Sequence, residues 1–295
     1  MVRIATKSPL PTVWLNGAMC KIDDAHISVL DRGFLFGDGI YEIIPVYRGV
    51  PLQPKKHIHR LLAGLNAISI DDPMGQARWL QMVTDLIAIN GVSDVSVYIQ
   101  VTRGAPTYRD HAFPADITPT VYAMCTPLPE LNPDLIKKGI AAIVRPDTRW
   151  ARRDIKSISL LANVLLRQEA VHEGVAETIL CDGDYVTEGS ASSVFAVIED
   201  TIMTPPNGTA ILPGTTRDLI MDLAAENQLP ARSAELTRTQ LFQAKEVWLC
   251  SSLRELLPVC RLDGNPVSDG RPGPLFRRMY ELFQKHKRRL RGQAA

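Results

Sequence analysis

Net charge is nearly absent from this sequence: 33 Lys and Arg against 32 Asp and Glu leave +1. No overall field recommends nucleic acid, a membrane surface or a polyanion as partner, which favours small-molecule chemistry by elimination. Paired cysteine spacing is absent too. Cys20, Cys125, Cys181, Cys250 and Cys260 are odd in number, scattered and without a C-x-x-C pair, and they read as reduced core thiols. No uninterrupted apolar run reaches membrane-spanning length, and the opening MVRIATKSPLPTVW has two prolines and no apolar h-region. A soluble, cytoplasmic protein is expected. There is no Walker A loop, H-E-x-x-H or G-x-S-x-G, and the G-D-G at Gly37–Gly39 is not a dinucleotide fingerprint. His57 and His59, two apart on a predicted helix with no carboxylate beside them in sequence, point in different directions and make a poor metal site.

With 295 residues, 45% of them hydrophobic, the chain suffices for one large or two medium domains. In the first third, Gly39–Val46 and Val95–Val101 are predicted strands. Lys56–Ile68 predicts a helix with Ile58, Leu61, Leu62 and Leu65 on one face, and Gln76–Asn90 predicts another with Trp79, Met82, Val83 and Leu86. This mixture predicts an α+β domain over residues 1–126. Prolines crowd the segment CTPLPELNP, interrupt regular structure and predict a linker over 127–133. Residues 134–295 predict an α/β domain. Its helices are Ile158–His172, one after Gly214 and one from Pro274 to about Lys287; its strands lie near Ala176–Cys181, Ser193–Ile198 and Glu246–Cys250. The closing KHKRRLRG needs no nucleic acid, because cations collect where the helix dipole favours them.

Three segments carry candidate chemistry. Leu212-Pro-Gly-Thr-Thr-Arg-Asp218 runs a glycine turn into an apolar helix. It reads either as an anion site of free N–H groups and hydroxyls, or as a plain N-cap by Thr215 or Thr216 with Asp218 in the first turn. Thr187-Glu-Gly-Ser-Ala-Ser-Ser193 opens a run of small side chains with an acid. Glu188 is there either the partner of a cationic ring nitrogen or a solvated turn residue. Arg153-Asp-Ile-Lys-Ser157 places Lys156 before a predicted helix, as a nucleophile or as a solvated charge.

The stretches DRGFLFGDGIYE, HIHRL, VTRG followed by RDHAFP, DIKSISLLANVLLRQEA, VTEGSASSVF, ILPGTTRD and SSLRELLPV occur in one order through nearly the whole chain. In that order and spacing the sequence resembles the fold type IV (class IV) pyridoxal-phosphate aminotransferases, most closely their D-amino-acid (D-alanine) aminotransferase branch. The resemblance implies a two-domain fold, a smaller N-terminal α+β domain and a larger C-terminal α/β domain with a barrel-like sheet. It implies pyridoxal 5'-phosphate as cofactor, bound as a Schiff base to Lys156, with Glu188 on the pyridine nitrogen. Arg60, Thr215, Thr216 and Ser252 are implied at the phosphate, with Leu212 and Gly214 in the same cofactor-binding turn. Tyr41, Arg109 and His111 are implied as the residues that hold the substrate carboxylate, and Arg103 as a structural arginine.

The implied reaction is ping-pong transfer of an amino group from a D-alanine-like donor to a 2-oxo acid such as 2-oxoglutarate, in a homodimer whose active site is shared between subunits. A branched-chain L-amino-acid aminotransferase, an (R)-amine aminotransferase and an aminodeoxychorismate lyase are rivals within the fold. The sequence departs from the pattern in three places. The Gly104–His111 loop is one residue longer, Leu253 and Arg254 stand where small hydroxyl residues are usual, and Ala191 replaces a serine.

Overall fold

A computed structural model describes residues 8–91 and 94–292. The chain divides into two compact units. The first contains residues up to Pro129 and takes back Ile155–Leu160; the second holds 130–154 and 161 onward. A single cut within 127–133 therefore misses one return of the chain. Ile158, expected to start a helix, instead donates its N–H to Gly39 O, and the helix begins only at Leu161.

The first unit is a six-stranded antiparallel sheet. Its strands are β1 (Thr12–Leu15), β2 (Ala18–Lys21), β3 (Gly39–Tyr47), β4 (Val50–Pro51), β5 (Val95–Thr102) and β6 (Thr120–Pro127), in the order β2-β1-β6-β5-β3-β4. Its helices are α1 (Arg32–Phe36), α2 (Pro54–Ala67) and α3 (Gln76–Asn90). Period-two alternation along β3 buries Ile40, Ile44 and Val46 in a core with Ile58, Leu61 and Leu65 of α2 and Trp79, Met82 and Leu86 of α3. Each of these side chains contributes on the order of 1.5–3 kcal/mol by leaving water. Leu62, expected on the same face, is only partly buried.

Glu42 has the same parity as Ile40 and Ile44, so it too is buried, and α2 supplies its partners. Arg60 forks onto it through Nε (2.6 Å) and Nη2 (2.9 Å), and His57 Nδ1 lies 2.8 Å away. A carboxylate thus does neighbour His57, brought by tertiary packing, whereas His59 is exposed. Burial opposes ionisation of Glu42, but the Arg60 charge and the bonds from His57 and Arg60 outweigh it and hold its carboxyl well below the usual range. Burial also depresses His57, more than Glu42 raises it.

The second unit adds α4 (Pro133–Lys138), β7 (Ile140–Pro146), α5 (Leu161–His172), β8 (Glu177–Asp182), β9 (Tyr185–Gly189), β10 (Ser193–Ile198) and β11 (Thr201–Thr204). It continues with α6 (Thr215–Glu226), β12 (Ala231–Ser233), α7 (Arg238–Gln243), β13 (Glu246–Ser251), β14 (Glu255–Leu262), β15 (Asn265–Pro266) and α8 (Pro274–Leu290). The mixed sheet runs β12-β11-β10-β13-β14-β7-β8-β9, with β15 on β14. Laid flat, β9 and β10 would stand five strand spacings apart, roughly 24 Å. Only Ser190–Ser192 join them, and three intervening residues reach at most roughly 14 Å. The sheet must curl, and Gly189 N donates to Ser192 O (2.6 Å) where it does so. This is the barrel-like sheet that the resemblance implies.

The N-terminus of α8 is capped from the sheet, since its own N-cap, Gly273, has no side chain. Buried Glu246 accepts from Leu275 N (2.9 Å), Phe276 N (2.7 Å) and Trp248 Nε1 (2.9 Å). A Cβ on Gly273 would lie 2.1 Å from the Glu246 carboxyl carbon, so glycine is required for this approach. At the other end of α8, Lys287 is buried in an ion pair with Glu255, so part of the basic tail is used internally. The cysteines are free, and burial pushes the thiols of Cys125 and Cys250 up to about 12 and those of Cys181 and Cys260 to about 11.

Two outcomes are expected. Glu246→Ala should cost about 2–4 kcal/mol in urea unfolding and speed amide exchange at the start of α8 first; unchanged exchange there would refute the cap. Glu42 and His57 both have depressed pKa values in the folded chain. Their contribution is complete above the unfolded values of about 4.3 and 6.5, and is lost as pH falls through and below them. Glu42→Gln should therefore lose about 3–5 kcal/mol at pH 7, with the difference from the parent shrinking below about pH 4. A gap independent of pH would contradict the ionised assignment.

Candidate active site

In the first unit, Ile155–Leu160 lies along the beginning of β3. Tyr41 N donates to Lys156 O (3.0 Å), and Ile40 and Ser157 form an antiparallel bridge. The approach is close because Gly39 has no side chain: a Cβ there would come within 2.5 Å of Val101 O and 3.0 Å of Ile158 Cδ1. Ile155 enters the core, and its neighbour Lys156, pointing the other way, sets Nζ 4.0 Å from the centre of the Tyr41 ring. Tyr41 itself stacks on Tyr98 at 5.8 Å. Lys156 is thus partly buried against an aromatic face and is not a solvated lysine at a helix start. Arg60, on α2, is turned onto Glu42.

Arg109 and His111 lie on the connection from Arg103 to Pro119, between β5 and β6. They do converge, and Phe36 is where they meet. The Arg109 guanidinium carbon is 4.7 Å from that ring's centre and the His111 ring 5.2 Å from it. Tyr41 belongs with Lys156, so the three expected carboxylate ligands form two groups within the chain. Arg103 is buried and structural. It forks onto Asp38 (2.8 and 3.0 Å) and caps the carbonyls of Ile68 (2.8 Å) and Ser69 (2.9 Å).

In the second unit, Glu188 closes β9 and is buried, which overturns the solvated-turn reading. One oxygen accepts from Arg149 Nη1 (2.6 Å) and the other from Leu212 N (3.2 Å). Arg149 is held in turn by buried Asp147, to which Nε (2.9 Å) and Nη2 (2.7 Å) are forked. Burial raises the pKa of Glu188 more than Arg149 and the Leu212 N–H lower it. The carboxylate is therefore short of positive charge. Sequence reasoning missed Arg149 and Asp147, whose only signal was a D-T-R triplet just after a strand.

At α6 the structure decides between the two readings of Gly214–Asp218. Gly214 is the N-cap, while Thr215 and Thr216 are the first helical residues and are buried, so neither threonine caps. Gly214 has no side chain with which to cap the first turn, and a helix start of this kind suits an anion. Gly214 also fits closely, because a Cβ would meet Ser193 Oγ at 2.6 Å.

Ser252 sits partly buried in the turn between β13 and β14. Arg254, the unusual residue of that turn, pairs with buried Glu177 at 2.6 Å. Glu177 also accepts from Thr178 N (3.0 Å), Ser192 Oγ (3.2 Å) and Ser190 Oγ. The arginine thereby ties the Ser252 turn to the Ser190–Ser192 turn.

Residues 39–262 match the class IV amino-transferase family. A D-alanine aminotransferase of Staphylococcus epidermidis is 37% identical over 274 residues, covering 93% of this chain and 97% of that protein. One of Bacillus licheniformis is 36% identical over 273 residues, covering 92% and 95%. Among solved structures, the branched-chain amino acid aminotransferase of Escherichia coli superposes with a TM-score of 0.86 at 26% identity, covering 92% of this chain and 93% of that one. With three quarters of its length in the family match and near full-length relatives above one-third identity, this chain belongs to the class IV aminotransferases.

Proposed function

We propose that this protein is a pyridoxal 5'-phosphate-dependent D-amino-acid aminotransferase that moves the amino group of D-alanine-like donors to a 2-oxo acid such as 2-oxoglutarate by a ping-pong cycle. The observation that carries the reading is the near full-length likeness to D-alanine aminotransferases at 37% identity, against 26% for the branched-chain enzyme.

The residues present fit the cofactor. Glu188 is a buried carboxylate short of positive charge, suited to a protonated ring nitrogen. The start of α6, with Gly214 as N-cap followed by Thr215 and Thr216, suits a phosphate, and the family resemblance adds Ser252 and Arg60 as proposed donors. When bound, the cofactor supplies an electron sink for the carbanion left at the substrate Cα. Lys156 is the proposed covalent anchor and the base that takes the Cα proton, and the Tyr41 ring orients its amine. Arg109 and His111 hold the substrate carboxylate and so fix the handedness of what can react.

Both lie exposed in the single chain, on a loop that we assign to the neighbouring subunit's site. A homodimer would also cover exposed Val29 and Phe34 in the first unit and Leu161, Val164 and Leu165 of α5 in the second. Among the described residues no helix is long and apolar enough to cross a membrane. Free thiols, four of the five buried, suit the cytoplasm, where we place the enzyme.

The absorbance of the purified protein between 300 and 500 nm tests this reading. The visible cofactor band should bleach with D-alanine and not with L-alanine, and Lys156→Ala should lose both the band and turnover. Bleaching by L-alanine would move the enzyme to the L-amino-acid branch, and near-normal turnover of Lys156→Ala would end the proposed mechanism. Glu188→Gln should lower kcat on the order of 10²-fold. Loss of folding in that variant would instead make Glu188 structural.

A further inference from the structure

The connection bearing Arg109 and His111 spans 17 residues, 103 to 119, without regular structure. That exceeds the roughly 12–15 beyond which a loop needs a specific reason to be ordered. Both of its stems are tied to the start of α1. Asp31 accepts from Thr102 Oγ1 (2.9 Å) and Thr120 Oγ1 (2.7 Å), and Arg32 N donates to Gly104 O (2.9 Å).

The tip of the loop is tied to the Arg32 side chain. Nη1 donates to Asp110 O (2.5 Å) and Ala112 O (3.2 Å), and Nη2 to His111 O (3.1 Å). Three consecutive carbonyls therefore converge on one guanidinium, which is 3% exposed and fixed from behind by its Nε bond to Asp38 (2.7 Å). Phe113, just beyond, lies 3.6 Å from the Arg103 guanidinium carbon and 6.0 Å from that of Arg32.

With those carbonyls turned inward, the side chains of Arg109 and His111 come to rest on Phe36, the last residue of the short helix that Arg32 begins. We propose that Arg32 is the positioning residue of the substrate-carboxylate site: it sets the backbone of Asp110–Ala112 and thereby aims Arg109 and His111. This rests on the reading of those two residues as the carboxylate's partners. Lysine cannot reproduce the contact, since its compact ammonium lacks the planar fork that reaches separate carbonyls.

The test compares the parent, Arg32→Lys, Arg109→Ala and the double variant as full-length holoenzymes. Two donors are used, D-alanine and D-alaninol, which lacks the carboxylate, and amide exchange of residues 105–116 is followed alongside. Arg32→Lys should raise the KM for D-alanine about tenfold or more with kcat within about threefold, and change the response to D-alaninol less than about twofold. Exchange in the loop should speed about tenfold while the resting cofactor band stays unchanged. Added to Arg109→Ala, the lysine should cause little further loss, because both act on one interaction.

Equal losses for the two donors, full additivity, or an unchanged KM despite faster exchange would overturn the proposal. Should Arg32→Lys fold poorly, Phe113→Ala, at a 60% exposed position, should shift the same readouts in the same direction and by less. An absence of effect there would count equally against it. If the parent itself ignores D-alanine, the proposed function fails, and the exchange measurement still decides whether Arg32 orders the loop.

Discussion

A carboxylate taken out of water has to be met by donors, and this requirement organises the molecule around a set of buried acids. Asp31 ties two strand ends to α1, and Glu42 fixes α2 to the sheet. Glu246 starts α8, and Glu177 draws two serine-bearing turns together. In each case the acid sits on or beside a regular element and accepts hydrogen bonds from a second segment as well. Glu188 is the exception that points to chemistry. Its two protein donors do not balance its burial, so its pKa stays raised where those of Glu42, Asp38 and Asp147 are lowered. An under-compensated charge is relieved by taking up a proton or by meeting a cationic partner, so the imbalance is informative in a way that a satisfied ion pair is not.

Local pattern made much of the fold legible. The helix Gln76–Asn90 has the bounds that periodicity predicts, because Gly75 and Gly91 flank it and the four expected apolar residues are all buried. Strands β3, β5, β10 and β13 deviate from their predicted ranges by no more than a residue at either end, since β-branched alternation is a short-range signal. What could not be read was whatever depends on distant pairing. Ile158–Leu160 have the apolar character of a helix start, yet β3 claims their backbone, and a hydrogen bond from residue 158 to residue 39 leaves no local trace.

The candidate site divides along the same line. Glu188 and Lys156 were visible through motif order, because each lies inside one of the ordered motifs that the sequence shares with the family. Arg149 and Asp147 were not, since a buried D-x-R fork looks like a charged loop until Glu188 is seen beside it. Arg254 was visible only as a departure from pattern. Its ion pair with Glu177 gives a physical reason for a large cation where a small hydroxyl is usual: the turn is held by charge pairing.

The arrangement also keeps apart the residues proposed for the chemistry and those proposed to hold the substrate. Lys156 and Tyr41 are bound to β3, the strand whose inner face builds the core of the first unit, so their geometry cannot change without disturbing packing. Arg109 and His111 stand on a long loop whose tip is held by polar contacts to Arg32 and by ring contacts, each worth far less than a strand's packing. On the proposed roles, a substitution in the loop or its anchor would alter which carboxylate-bearing donor is admitted at little cost to the fold, whereas a change on β3 would risk both.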